Sequence, residues 1–144
     1  VQITESVRKI HRYEKSVEAM TNETLKKLKP VIAKMNVQQL ERGQKPDGSL
    51  YEGYSPATEN YVRATPITAG EPIKLKDTGK FHEGIFTGTV MRGKNIVEIK
   101  SRDEKSDMLE HHYKPFGLTE NNMDKITERI YKELYKQLKD YFNG

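Results

Sequence analysis

Phe81-His82-Glu83-Gly84-Ile85-Phe86-Thr87-Gly88-Thr89-Val90 is followed by Met91-Arg92-Gly93-Lys94-Asn95 and then by Ile96-Val97-Glu98-Ile99-Lys100. The two outer segments are rich in β-branched and aromatic residues and the middle one in turn formers, a pattern that predicts an antiparallel hairpin. Ile96 and Glu98 face away from Val97 and Ile99, so both faces carry an apolar residue. A sheet covered on both sides is the expectation. The strongest other periodicities in the chain are helical, so this hairpin decides between an all-helical and an α+β fold.

Upstream, Ile3, Val7, Ile10, Val17 and Met20 recur at helical spacing with Tyr13 beside them. Thr21 or Asn22 is placed to cap a second helix through Leu25 and Leu28, and Pro30 is expected to break or bend it. Val31, Ile32, Met35, Val37 and Leu40 extend the apolar face toward Gly43. Two helices, or one long kinked helix, should therefore end near Arg42. Residues 43–72 then change character, because Gly43, Pro46, Gly48, Gly53, Pro56, Pro66, Gly70 and Pro72 interrupt every regular run. Pro46-Asp47-Gly48 is a strong turn signal. Tyr51, Tyr54 and Tyr61 imply that this arm lies against a surface, either its own core or a neighbouring subunit.

Downstream, Ser101 to Asp107 is charged and expected to be exposed, and Leu109 and Tyr113 lead a short helix or strand toward Pro115. Thr119 can cap a final helix with Met123, Ile126, Ile130, Leu134, Leu138 and Tyr141 on its apolar stripe. Tyr131 and Tyr135 form a second stripe, for which an intramolecular core position is the simpler expectation and a subunit contact the alternative. The expected fold class is α+β, a small antiparallel β-sheet packed by N-terminal helices and a long C-terminal helix, with an extended loop or arm. One domain covers residues 1–144, divided into a helical region 1–42, an arm 43–74, a hairpin region 75–118 and a terminal helix 119–142.

A chain of 144 residues is one ordinary domain. With 34% hydrophobic residues, no tryptophan and no cysteine, its core must be aliphatic and tyrosine-based, and disulfide or thiolate chemistry is excluded. The 25 lysines and arginines against 21 acids are intermixed along the sequence, a weak basic bias that permits contact with nucleic acid without predicting it. No apolar run approaches the roughly 20 residues needed to cross a bilayer, so no membrane contact is expected. No signal-peptide pattern stands at Val1, and the expectation is a soluble intracellular protein or a part of an assembly built inside a cell.

Asp77-Thr78-Gly79 matches the core of an aspartic protease site, but Lys76 and Lys80 flank it where an apolar strand is needed to keep one carboxyl protonated. Asp77 or Thr78 is better placed to cap a turn, with Gly79 supplying an unusual dihedral. His11, His82, His111 and His112 lack metal-ligand spacing, since adjacent residues diverge in direction. Gly84 and Gly88 form no nucleotide fingerprint, and no nucleophile elbow is present. No catalytic, cofactor-binding or metal-ligating residue is assigned, and a noncatalytic protein is the expectation. Lys26, Lys27, Lys29 and Lys34 near the start, and Lys125, Arg129, Lys132, Lys136 and Lys139 on the last helix, could meet phosphates. Glu128, Glu133 and Asp140 among them make a solvated face with i,i+4 pairing the simpler reading.

In order, Gln39-Leu40-Glu41-Arg42-Gly43 with Gly48, Tyr54 and Ser55, then Leu75-Lys76-Asp77-Thr78-Gly79-Lys80-Phe81, then Phe116-Gly117-Leu118-Thr119, resemble small virion morphogenesis proteins of tailed bacteriophages. The likeness is to the tail-completion or neck family, in which a threonine-glycine segment leads a hairpin, a phenylalanine-glycine pair and a terminal helix; it covers residues 39–142. It implies a noncatalytic subunit without cofactor, forming a homo-oligomeric ring at the head–tail junction and joining connector to tail proteins. It also implies a location in the virion, assembled in the host cytoplasm. The resemblance gives Asp77, Thr78, Gly79 and Phe81 the role of shaping the approach to the sheet, and Phe116, Gly117 and Leu118 the approach to the last helix. The mixed-charge surface fits a lumen that passes DNA while contacting it weakly. The alternatives are a nucleic-acid-binding module using the basic helix faces, and a small enzyme.

Overall fold

The computed structural model describes residues 2–59, 63–91 and 96–143. Its order is α1 (Gln2–Glu41), α2 (Pro56–Glu59), α3 (Lys80–Glu83), β1 (Ile85–Met91), β2 (Ile96–Ser101), α4 (Ser106–Tyr113) and α5 (Glu120–Asn143). The fold is α+β, with a small antiparallel sheet packed against the N-terminal helix and a long C-terminal helix beside it.

The N-terminal region is one helix, not two. Pro30 sits inside α1, and Thr21 caps nothing: its hydroxyl donates to the Val17 carbonyl (2.8 Å), while Thr24 donates to Met20 (2.8 Å). Pro30 is exposed, so the Lys26 carbonyl that lacks its usual N–H partner is left on the solvent side. Leu25 before the proline and Ile32 and Leu40 after it are all buried, so both halves of the helix carry core side chains. Termination falls where the sequence places it. Gly43 has a φ of 66° and donates to Leu40, while Gln44 donates to Gln39, both at 2.9 Å, which makes a Schellman cap.

The arm closes on its own domain. The expected turn is formed, with Gly48 donating to Lys45 (2.9 Å) and the Asp47 carboxylate accepting from Ser49 N–H and hydroxyl. These bonds hold the Asp47 carboxyl below its usual pKa. Residues 51–54 then ladder against 70–73 through Tyr54 N–H to Glu71, Gly70 N–H to Tyr54 and Ile73 N–H to Glu52. Tyr51 is buried and donates its hydroxyl to the Tyr113 carbonyl (2.8 Å), and burial pushes its pKa up to about 12. Tyr54 is buried as well, its hydroxyl accepting from Lys74 N–H (3.1 Å). Own-core packing therefore accounts for both tyrosines, and the extended arm is a closed loop. Tyr61 lies outside the described residues.

The hairpin starts later than expected. Residues 80–83 form the helical turn α3 behind Gly79, whose φ of 90° confirms the unusual dihedral but places it before a helix. β1 and β2 pair from Ile85–Ser101 to Met91–Ile96, with a register shift between Thr87 and Val90. The turn residues 92–95 lie outside the described set. The sheet is covered on one face only. Val97, Ile99 and Ser101 are half-buried, whereas Ile96, Glu98 and Lys100 are exposed, because two of those three outward side chains carry charge. Of residues 101–107, Ser106 is buried at the start of α4.

The core gathers Leu40 of α1, Tyr51 of the arm, Phe81 of α3 and Ile85 of β1, with Ile99, Leu109, Tyr113 and Phe116 packed against them. Phe81 and Phe116 lie 5.8 Å apart between ring centroids, and Tyr51 meets Tyr113 edge-on at 5.9 Å. Helix α1 is the common neighbour of β1 and α5.

Candidate functional site

Two fully buried amides weld the final helix to α1. Asn36 donates to the Pro115 carbonyl (2.9 Å) and accepts from Gly117 N–H (2.9 Å). One turn on, Gln39 donates to the Gly117 carbonyl (2.8 Å) and accepts from both Thr119 N–H (3.0 Å) and the Asn122 side chain (2.7 Å). Thr119 caps α5 through Asn122 N–H (3.2 Å), as its position before the apolar stripe predicts. Gln39, Phe81, Phe116, Gly117 and Thr119 thus belong to one joint at the domain centre.

Asp77, Thr78 and Gly79 line a cleft of about 520 Å³ between the arm and α4, together with Tyr54, Arg63 and Met108. The Asp77 carboxylate accepts from Ala64 N–H (2.9 Å), and the Thr65 hydroxyl donates to the Asp77 carbonyl, so this residue ties residues 64–65 to 77. Thr78 accepts from Lys80 N–H (3.3 Å). Arg63 lies over the Tyr54 ring and donates to the Lys76 carbonyl (3.0 Å). Leu75 adopts a φ of 54° beside this cleft, a strained value for a leucine.

Histidines are dispersed. His11, His111 and His112 are exposed, while His82 is buried and directs Nε2 at the Lys74 carbonyl (2.7 Å). That acceptor makes Nε2 the protonated nitrogen, and Nδ1 is buried without a partner. Burial lowers the His82 pKa below its ordinary 6.5, and the Lys74 contact and Glu41 only partly oppose this. Among the described residues no three of His, Cys, Asp and Glu converge in a metal-holding group, and none of the helices is long and apolar enough to cross a membrane.

The surface carries the least expected features. Tyr131 and Tyr135 of α5 are 68% and 72% exposed, so the core position expected for them is not the one they occupy. They sit four residues apart, on the side of α5 away from buried Ile126, and that spacing makes them neighbours on one outward stripe. On the other flank of α5, Lys27 of α1 joins Arg129, Lys132 and Lys136 around a groove of about 370 Å³, where Glu133 is the only acid. Glu133 is held below its usual pKa by Gln137, with a smaller effect of Lys27 at 3.8 Å. Around α4 the acids Asp103, Glu104, Asp107 and Glu110 stand among Arg102, Lys105 and Lys114. Compared with known proteins, the chain matches no family model, no curated protein and no solved structure.

Proposed function

We propose that this chain is a noncatalytic structural subunit of a tailed-bacteriophage virion, forming a homo-oligomeric ring at the head–tail junction and joining connector to tail proteins. Its place is the neck, connector or tail-completion position, in a virion assembled in the host cytoplasm. The observation that carries the reading is the outward stripe of Tyr131 and Tyr135 on a helix whose opposite face is already committed to α1. Tyrosine gives large contact area at little entropic cost, and two such rings left in water are a feature of subunit surfaces. Of the residues that carry the resemblance, Gln39, Phe81, Phe116, Gly117 and Thr119 belong to the central joint, whereas Asp77 and Thr78 lie exposed at the cleft beside the arm. Light scattering coupled to size exclusion, over a concentration series at two salt levels, tests it. The expected result is a discrete multi-copy species with the wild-type chain, alone or with the viral partner proteins. A single copy under every condition overturns the reading.

The groove around Lys27, Arg129, Lys132 and Lys136 favours a second reading as a phosphate-contacting module. In a ring this face would border the passing DNA and hold it weakly. Anisotropy with a random-sequence duplex separates the two. Dissociation constants near or above about 10⁻⁶ M at physiological salt fit a lumen, and tighter salt-dependent binding by the isolated chain favours the nucleic-acid module.

A further inference from the structure

A groove of about 450 Å³ runs between β2 and α4, lined by residues 97–101 on one side and by Ser106, Asp107 and Glu110 on the other, with Phe116 in its floor. Side chains along a strand alternate in direction, so five consecutive residues can line one hollow only if it follows the strand's edge. Among the described residues β2 pairs with β1 alone, which leaves that edge open. Half-buried Val97, Ile99 and Phe116 make the groove apolar at its base. Glu98, Asp107 and Glu110 make its rim acidic, and the one lysine there, Lys100, is paired with Glu98 at 3.1 Å.

Helix α5 carries five basic and five acidic residues over its length, and its basic excess is confined to its middle turns. Residues 125–139 hold Lys125, Arg129, Lys132, Lys136 and Lys139 against Glu128 and Glu133. Lys132 and Lys139 stand three and four residues from Tyr135, beside the exposed aromatic stripe. Within one copy the core face of α5 rests on α1. We propose that α5 of one copy docks in the β2–α4 groove of the next. Tyr131 and Tyr135 lie on the apolar floor with their hydroxyls toward the open β2 edge, and the lysines beside them meet the acidic rim. An aromatic body with a polar tip suits a surface that is apolar in the middle and has unpaired backbone groups at one side. The two surfaces are different parts of the molecule, so the contact is head-to-tail and closes into a ring when its rotation permits. The assignment rests on the self-associating reading above and names its interface.

Two variants test it, each altering only exposed positions. Tyr131→Ser with Tyr135→Glu removes the aromatic docking stripe of α5, and Asp107→Lys with Glu110→Lys reverses the charge of the groove's rim. Circular dichroism should show both folded like the wild type. Sedimentation across a concentration series should show each variant requiring on the order of tenfold or more protein to associate. An equimolar mixture, at concentrations where each alone is a single copy, should form a two-chain species, since each contributes one intact surface. A groove variant that assembles like the wild type, or a mixture that stays single-copy, overturns the interface. If the wild type forms rings and both variants do too, the interface is wrong and the ring stands. A wild-type chain that never associates removes both.

Discussion

Gln39 spends its whole side-chain amide on residues 78 to 83 positions away in sequence, bonding Gly117, Thr119 and Asn122. Gln39→Ala leaves the Gly117 carbonyl and the Thr119 N–H without partners in a site closed to water, a loss of about 2–4 kcal/mol of stability in denaturant titration. Gln39→Glu is expected to lose less at low pH, where a protonated carboxyl can still donate to the Gly117 carbonyl and accept from Thr119, than at neutral pH, where an ionised carboxylate would be buried facing that carbonyl. His82 sets a pH dependence of definite sign. The folded chain prefers the neutral ring, because protonated Nδ1 would be a buried donor without an acceptor. Stability from this residue is complete above pH 6.5, where the unfolded histidine is also neutral, and falls as pH drops from 6.5 toward the lower folded pKa. His82→Gln, which retains a donor for Lys74, should flatten the stability profile between pH 7 and 5 even if it lowers stability at pH 7. Neither role was legible in the sequence. A glutamine in an apolar helix face looks like a solvated residue until its distant partner is known, and His82 gives no sign of burial beside the acidic Glu83.

At the scale of elements, the hydrophobic periods placed the long helices and the hairpin, and the errors came where packing overrode local chemistry. Thr119, Gly43 and the Pro46–Gly48 turn act locally and were legible for that reason. Pro30 is also a local signal, yet the helix continues through it because tertiary contacts on both sides outweigh one missing hydrogen bond. Pro30→Ala restores a donor toward the Lys26 carbonyl at an exposed site, against some gain in unfolded-chain freedom. A net stabilisation of about 1–2 kcal/mol is expected, read as a rise in Tm of several degrees. Gly43→Ala should act in the opposite direction. A methyl group there would stand 2.4 Å from the Pro72 side chain in a left-handed conformation, and destabilisation of about 2 kcal/mol or more is expected in the same assay.

The whole molecule is longer than its core. At 40 residues α1 extends about 60 Å, whereas a compact chain of this size is roughly 35–40 Å across. Gln39 meets Asn122 and Lys27 meets Glu133, so α1 and α5 run antiparallel. Continuing that register by ten residues brings Asn143 abreast of about Val17, and the part of α1 before it projects past the end of α5. Burial agrees with this geometry, since residues 11–15 are exposed, residues 16–20 are half-buried, and Val7 is 59% exposed. The sequence showed the apolar stripe of this segment, but not that its partner stops short, because the length of α5 and its direction on α1 are set by the distant amide joint. An isolated helix of this length is marginal in water. Deleting residues 1–12 should therefore leave the denaturant unfolding free energy within about 0.5 kcal/mol of the full chain, as expected for residues outside the cooperative core. If the projecting turns serve assembly, the deletion should shift the mass distribution in light scattering while the unfolding midpoint stays fixed. A drop of several kcal/mol would instead place these turns in the folding core and remove the overhang from the account of assembly.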